Sequence, residues 1–212
     1  MQEIHLSRKQ YFEAEKISLG AYYPLTGFMK EDEFISVVND MTLPNGSVFS
    51  IPIVVDIAKD HATGLVKDTV AKLVYESKEI GYLKVESVFR CSRGEVAKKI
   101  YGTSDKKHAG VRAFYEMKEM FVGGEVTLKE RTPFNTLTHE MTPEETKALF
   151  KEKKWKTVVA FHTRNPPHRA HECLQRMVFQ SYDGLFIHRI DYSDHFSHSD
   201  TKITAINFFV RF

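Results

Sequence analysis

Cysteine is nearly missing from this chain: Cys91 and Cys173 are the two thiols in 212 residues. Two distant thiols without metal-ligand spacing exclude a disulfide framework and a cysteine-based zinc site. They fit the reduced thiols of a cytoplasmic protein. Long apolar runs are missing too. No segment approaches the roughly 20 apolar residues of a membrane span, so no membrane partner is expected. The opening MQEIHLSRKQYFEAEK has no apolar stretch and does not read as a signal peptide. Charge of one sign is also lacking: 30 Lys and Arg face 28 Asp and Glu, a net +2. That balance disfavours nucleic acid as a partner. The basic run Lys151–Lys156 (KEKKWK) reads as a solvated face ahead of a strand. Neither an internal repeat nor a low-complexity tract is visible.

Apolar side chains are plentiful. Hydrophobic residues make up 42% and charged residues 27%, enough for a true core under a soluble surface, in one large domain or two small ones. A helix is expected over Arg8–Ser18 and another over Glu31–Asn39, where Phe34, Val37 and Val38 recur at helical spacing. Val48–Ile57 is rich in β-branched residues and reads as a strand, with Pro52 marking an edge or bulge. Thr69–Tyr75 and Ile80–Phe89 read as two more strands, and Gly94–Tyr101 as a helix. Phe121–Leu128 reads as short strand pieces around Gly123-Gly124. A barrel-like packing hides so many strand edges most simply.

The pattern changes near Asn135. In HEMTPEETKALF, Thr142 is placed as an N-cap, Pro143 as the first helical residue and Glu145 as the capping-box partner. Then come a strand (157–161), a loop, a helix (about 168–181), an Asp183-Gly184 turn and a strand (185–190). Strand–helix–strand implies a parallel βαβ unit, whose ligands bind beyond the carboxyl ends of the strands. The expected fold class is therefore α+β, a strand-dominated unit followed by an α/β unit.

The loop at that place is His162–His171, within TVVAFHTRNPPHRAHE. Pro166-Pro167 extend it and then admit a helix. His168 and His171 share one helical face in the first turn, beside backbone N–H groups and the positive end of the helix dipole. Arg164 and Arg169 add guanidinium groups suited to tetrahedral oxyanions. No activated Ser or Cys nucleophile stands out. The chemistry is that of positioning anions and stabilising charge. Taken alone, HRAH also fits a cap or a packing pair, and two histidines do not close a zinc site. His188, His195 and His198 fit solvent-exposed positions equally well.

The full string HTRNPPHRAHE resembles the ATP sulfurylase (sulfate adenylyltransferase) signature, a Gln-x-Arg-Asn element followed by Pro and a His-x-x-His pair. AYYPLTGFM, SIPIVVDI, KIYGTSDKKHAGV and FVGGEVTL resemble the family's N-terminal half in the same order. The resemblance implies a PUA-like β-barrel domain over residues 1–137 and a linker with a helix over 138–156. An incomplete Rossmann-like nucleotidyltransferase α/β domain is implied over 157–212. The implied reaction converts ATP and sulfate into adenosine 5′-phosphosulfate and pyrophosphate, with Mg²⁺ accompanying ATP. Arg164 is then expected at sulfate, with Thr163 and Asn165 between sulfate and the nucleotide phosphates. His162, His168 and His171 are expected on the ATP side. His162 stands where the family has Gln, so its donation depends on tautomer or protonation. Residues 189–200 depart from the family pattern, and the later Gly-Arg-Asp-His-Ala-Gly element does not occur before Phe212. The apolar run Ile203–Phe212 reads as the domain's second helix and is expected to drive self-association. The competing reading is a non-catalytic nucleotide-, oxyanion- or RNA-binding remnant of that family.

Overall fold

The structure, a computed structural model, describes residues 1–131, 141–163, 166–192 and 203–210. The chain divides into two units, Met1–Thr132 and Pro133–Phe212.

The first unit begins with β1 (Glu3–His5), α1 (Arg8–Ser18), β2 (Gly27–Phe28) and α2 (Glu31–Asp40). Next come β3 (Val55–Ile57), β4 (Val70–Tyr75), β5 (Lys78–Phe89), α3 (Arg93–Tyr101), α4 (Ala109–Glu116) and β6 (Met120–Leu128). Six strands form one sheet in the order β1-β4-β5-β6-β2, with β3 also on β6. β4 and β5 form an antiparallel hairpin through Glu76-Ser77, both at positive φ (47° and 62°). That is the sense of turn whose twist matches two right-handed strands. The described pairings make an open path, and no described ladder joins its ends.

Sequence chemistry explains the anchors. Ser7 and Gln10 form a capping box at the head of α1. The Gln10 side chain then reaches the Asp56 carbonyl and carboxylate at 3.0 and 2.9 Å, so one buried amide ties a helix to a strand. The core is aromatic. Phe34 of α2 meets Phe89 of β5 and Phe121 of β6, with centroids 5.4 and 5.7 Å apart, and all three are buried. Gly123-Gly124 lies inside a continuous strand rather than between two pieces. A Cβ at Gly123 would collide with the backbone at Met29-Lys30, and one at Gly124 with the Lys84 carbonyl. Glycine here permits close backbone approach, which sequence pattern alone reads as a break.

Two further expectations are corrected. Val48–Ile57 is a strand only over Val55–Ile57. Pro52 lacks a ladder donor, and the preceding residues make isolated bonds instead, such as Phe49 N–H to the Met41 carbonyl. The apolar run 203–210 is not a helix but a strand. Its sequence, ITAINFFV, is mostly β-branched and aromatic, and such residues favour a pleated surface.

The second unit contains α5 (Pro143–Glu152), β7 (Val158–Thr163), α6 (Arg169–Phe179), β8 (Gly184–Tyr192) and β9 (Ile203–Val210). Thr142 and Glu145 form the expected capping box. β7 and β8 pair in parallel with α6 between them in sequence, and β9 adds antiparallel to β8. Asp183 clasps the strand starts. Its carboxylate accepts the Lys156 and Thr157 amides at 2.8 Å each and the Thr157 hydroxyl at 3.0 Å. Trp155 lies over Gly184, where any Cβ would strike the indole. Among the described residues, no helix is long and apolar enough to cross a membrane.

Candidate functional site at the β7–α6 junction

Parallel pairing puts the carboxyl ends of β7 and β8 at the same edge, since His162 is in register with His188 and Thr163 with Arg189. The chain leaves β7 at Thr163 and enters α6 at Arg169. Both the strand end and the helix head are therefore supplied by one short loop, as the βαβ reading requires. Thr163 is half-buried and His162 exposed. Arg164 and Asn165 lie outside the described residues, as do His195 and His198.

His168 is the N-cap of α6, with extended backbone (φ −133°, ψ 175°). Its carbonyl accepts the Glu172 amide at 3.1 Å, which starts the helix. The structure brings His168 and His171 together: their rings stack with centroids 3.9 Å apart and planes 28° apart. The His168 amide is not open to a ligand, because it donates to His171 Nδ1 at 3.4 Å. The amides of the next residues have no acceptor inside the helix and point with the dipole toward the loop. Arg169 is exposed. Glu172, an acidic residue in the first turn of α6, pairs with Arg176 at 2.8 Å.

Two features of the second unit, one at the junction and one at the opposite end of β7, carry no sequence motif. Phe161 of β7 meets His171 edge-to-face at 5.5 Å and 71°. Asp183, legible only as part of a turn, is held below the usual carboxylate range by the Thr157 amide first, then by the Lys156 amide and the Thr157 hydroxyl. The donors around the loop are imidazole, hydroxyl and amide. Among the described residues, no group of three or more His, Cys, Asp or Glu side chains is arranged to hold a metal. Elsewhere, Cys91 is half-buried, and burial pushes its thiol above the ordinary value. A cavity of about 520 Å³ bordered by Lys30, Lys67 and Glu86 belongs to the first unit.

The PUA-like domain model matches residues 1–131, and the ATP-sulfurylase model matches residues 138–198. The chain belongs to the ATP-sulfurylase family, with a PUA-like domain. A sulfate adenylyltransferase of Chloroflexus aurantiacus is 38% identical over 187 residues, covering 87% of this chain and 48% of the relative. One from Staphylothermus marinus is 36% identical over 186 residues, with the same two coverages of 87% and 48%. This ATP-sulfurylase family member thus spans about half the length of the curated relatives it matches. In solved structures it resembles a hexameric APS kinase from Thiobacillus denitrificans. The TM-score is 0.68 at 22% identity, over 89% of this chain and 34% of that one. That likeness concerns the fold.

Proposed function

We propose that the β7–α6 loop is the ATP- and sulfate-facing loop of a sulfate adenylyltransferase. The observation that carries this reading is the stacked His168–His171 pair at the head of α6, beyond the carboxyl end of a parallel strand. A sulfate oxygen attacks the α-phosphorus of ATP, the α–β phosphoanhydride bond breaks, and pyrophosphate leaves. Adenosine 5′-phosphosulfate is the other product. Because two anions must meet, most of the work is positioning and charge stabilisation. Arg164 takes the sulfate, and Thr163 and Asn165 lie between sulfate and nucleotide phosphates. His162, His168 and His171 serve the phosphates, helped by the dipole of α6. Mg²⁺ would travel on the nucleotide's phosphate oxygens, since imidazole and amide donors do not make a Mg²⁺ cage.

The same reading carries a PUA-like barrel over 1–137, a linker over 138–156 and a Rossmann-like nucleotidyltransferase domain over 157–212, in a cytoplasmic protein. It also carries self-association, through the C-terminal apolar run, in keeping with a hexameric neighbour in fold. Sedimentation of the purified chain tests that part. The catalytic part is tested by pyrophosphate release. Release that requires both ATP and sulfate is expected; none above background from the 212-residue chain overturns activity of this chain.

A further inference from the structure

His171 sits among three contacts, and together they restrict it. Its Nδ1 accepts the His168 amide, the His168 ring stacks on one side, and Phe161 meets it edge-to-face from β7. A neutral imidazole carries one N–H. When one ring nitrogen accepts a backbone amide, the proton must be on the other. We infer that the His168 amide and Phe161 are the positioning elements of His171. They hold its imidazole as the Nε2–H tautomer in one orientation, leaving Nε2–H as its single donor to an oxyanion. This rests on the function proposed above for the ligand, but not for the tautomer.

Phe161 does this from a different element than the residue it orients. It is a β7 residue, immediately before His162 and Thr163, whereas His171 is in the first turn of α6. Ring orientation is therefore referenced to the strand that carries the rest of the loop. Edge-to-face contact sets a ring plane as well as covering it, and a fixed plane sets the direction of the Nε2–H bond. A leucine at 161 would keep apolar bulk and lose that direction.

The test is a long-range ¹H–¹⁵N correlation spectrum of the 212-residue chain with ¹⁵N-labelled histidine, taken above the histidine titration range. His171→Gln identifies the His171 signals by removing them. The expected wild-type pattern is an unprotonated Nδ1 and a protonated Nε2, retained in Phe161→Tyr. Phe161→Leu should shift both nitrogens toward a tautomer mixture. It should also weaken ATP binding roughly three- to tenfold, the scale of one neutral hydrogen bond. Should Phe161→Leu not fold, Phe161→Met takes its place. A protonated Nδ1 in the wild type, or unchanged His171 signals in the folded Phe161 variants, overturns the inference. Failure of the wild type to bind ATP overturns the function reading alone, because the tautomer is read in the free protein.

Discussion

The two units of this chain differ in the contacts their described side chains make. The first surrounds its sheet with buried aromatic and aliphatic side chains: Tyr11, Phe28, Phe34, Leu73, Leu83 and Phe121 are all nearly inaccessible. In the second, Trp155, Gly184 and Leu185 are buried. Its helix α5 buries none, and α6 leaves Leu174 and Met177 more than half exposed. It also carries local devices: a capping box, the Asp183 clasp and the Trp155–Gly184 contact. A core draws its stability from many small contacts, so truncating one buried side chain is felt. A clasp depends on a few polar atoms, and loop chemistry is free to occupy the rest.

The sharpest break of this contrast is by truncation. Phe121→Ala should destabilise the first unit by about 3–5 kcal/mol, while Met177→Ala should change stability by less than about 0.5 kcal/mol. Urea unfolding followed by circular dichroism measures both. Comparable losses would show that the second unit has a core as tightly packed as that of the first. Arg164→Ala comes next, and it acts on binding. Loss of a charge-assisted bond of about 1.5–3 kcal/mol should weaken sulfate binding roughly 10- to 150-fold, measured by calorimetry. Unchanged affinity would move the anion site elsewhere.

A smaller effect separates the two units by electrostatics. In the first, Glu79 is held down to about 2 by hydrogen bonds from Lys129, then Lys72 and Tyr82. In the second, Asp183 is held down mainly by neutral backbone amides. Both folded values lie below the unfolded ones. Each group therefore stabilises the fold above its unfolded value, roughly 4.3 for Glu and 3.9 for Asp. That contribution is lost as pH falls through the folded value, in the case of Glu79 toward about 2. Added salt should raise the Glu79 midpoint, since two of its partners, Lys129 and Lys72, are cations within reach of solvent, and leave Asp183 nearly unmoved. Carboxyl titration by NMR in low and high salt reads both. Equal salt sensitivity would erase the distinction. A gain in stability is expected at the β4–β5 turn, where Ser77 has φ 62°. Ser77→Gly should stabilise the first unit by about 1 kcal/mol by removing a left-handed penalty, seen as a raised melting temperature.

Much of this was legible beforehand for local reasons. Arg8–Ser18 and the Thr142–Glu145 cap depend on residues within one turn of each other, and the structure has both as expected. The parallel β7–β8 pair followed from strand–helix–strand order. Gly123-Gly124 was read as an interruption because what approaches it, the Lys84 carbonyl and the Met29-Lys30 backbone, is remote in sequence. The run Ile203–Phe212 reads as a helix because an apolar run has no decisive period, and over Ile203–Val210 pairing with β8 decides for a strand. At the site, spacing alone singles out His168 and His171, which the structure brings together, while Arg164 and Asn165 lie outside the described residues. The Phe161 contact was not legible, because Phe161 reads as one more apolar strand residue.

Residue types and their spacing were enough to set the order of elements, the helix caps and the presence of an imidazole- and arginine-rich loop between a strand and a helix. Those properties are encoded in residues a few positions apart. Packing in three dimensions settled which backbone lies against each glycine and that Asp183 binds the start of another strand. It also settled that His171 Nδ1 accepts the His168 amide. Those outcomes depend on distances between groups, and residue identity fixes such distances only after the chain has folded.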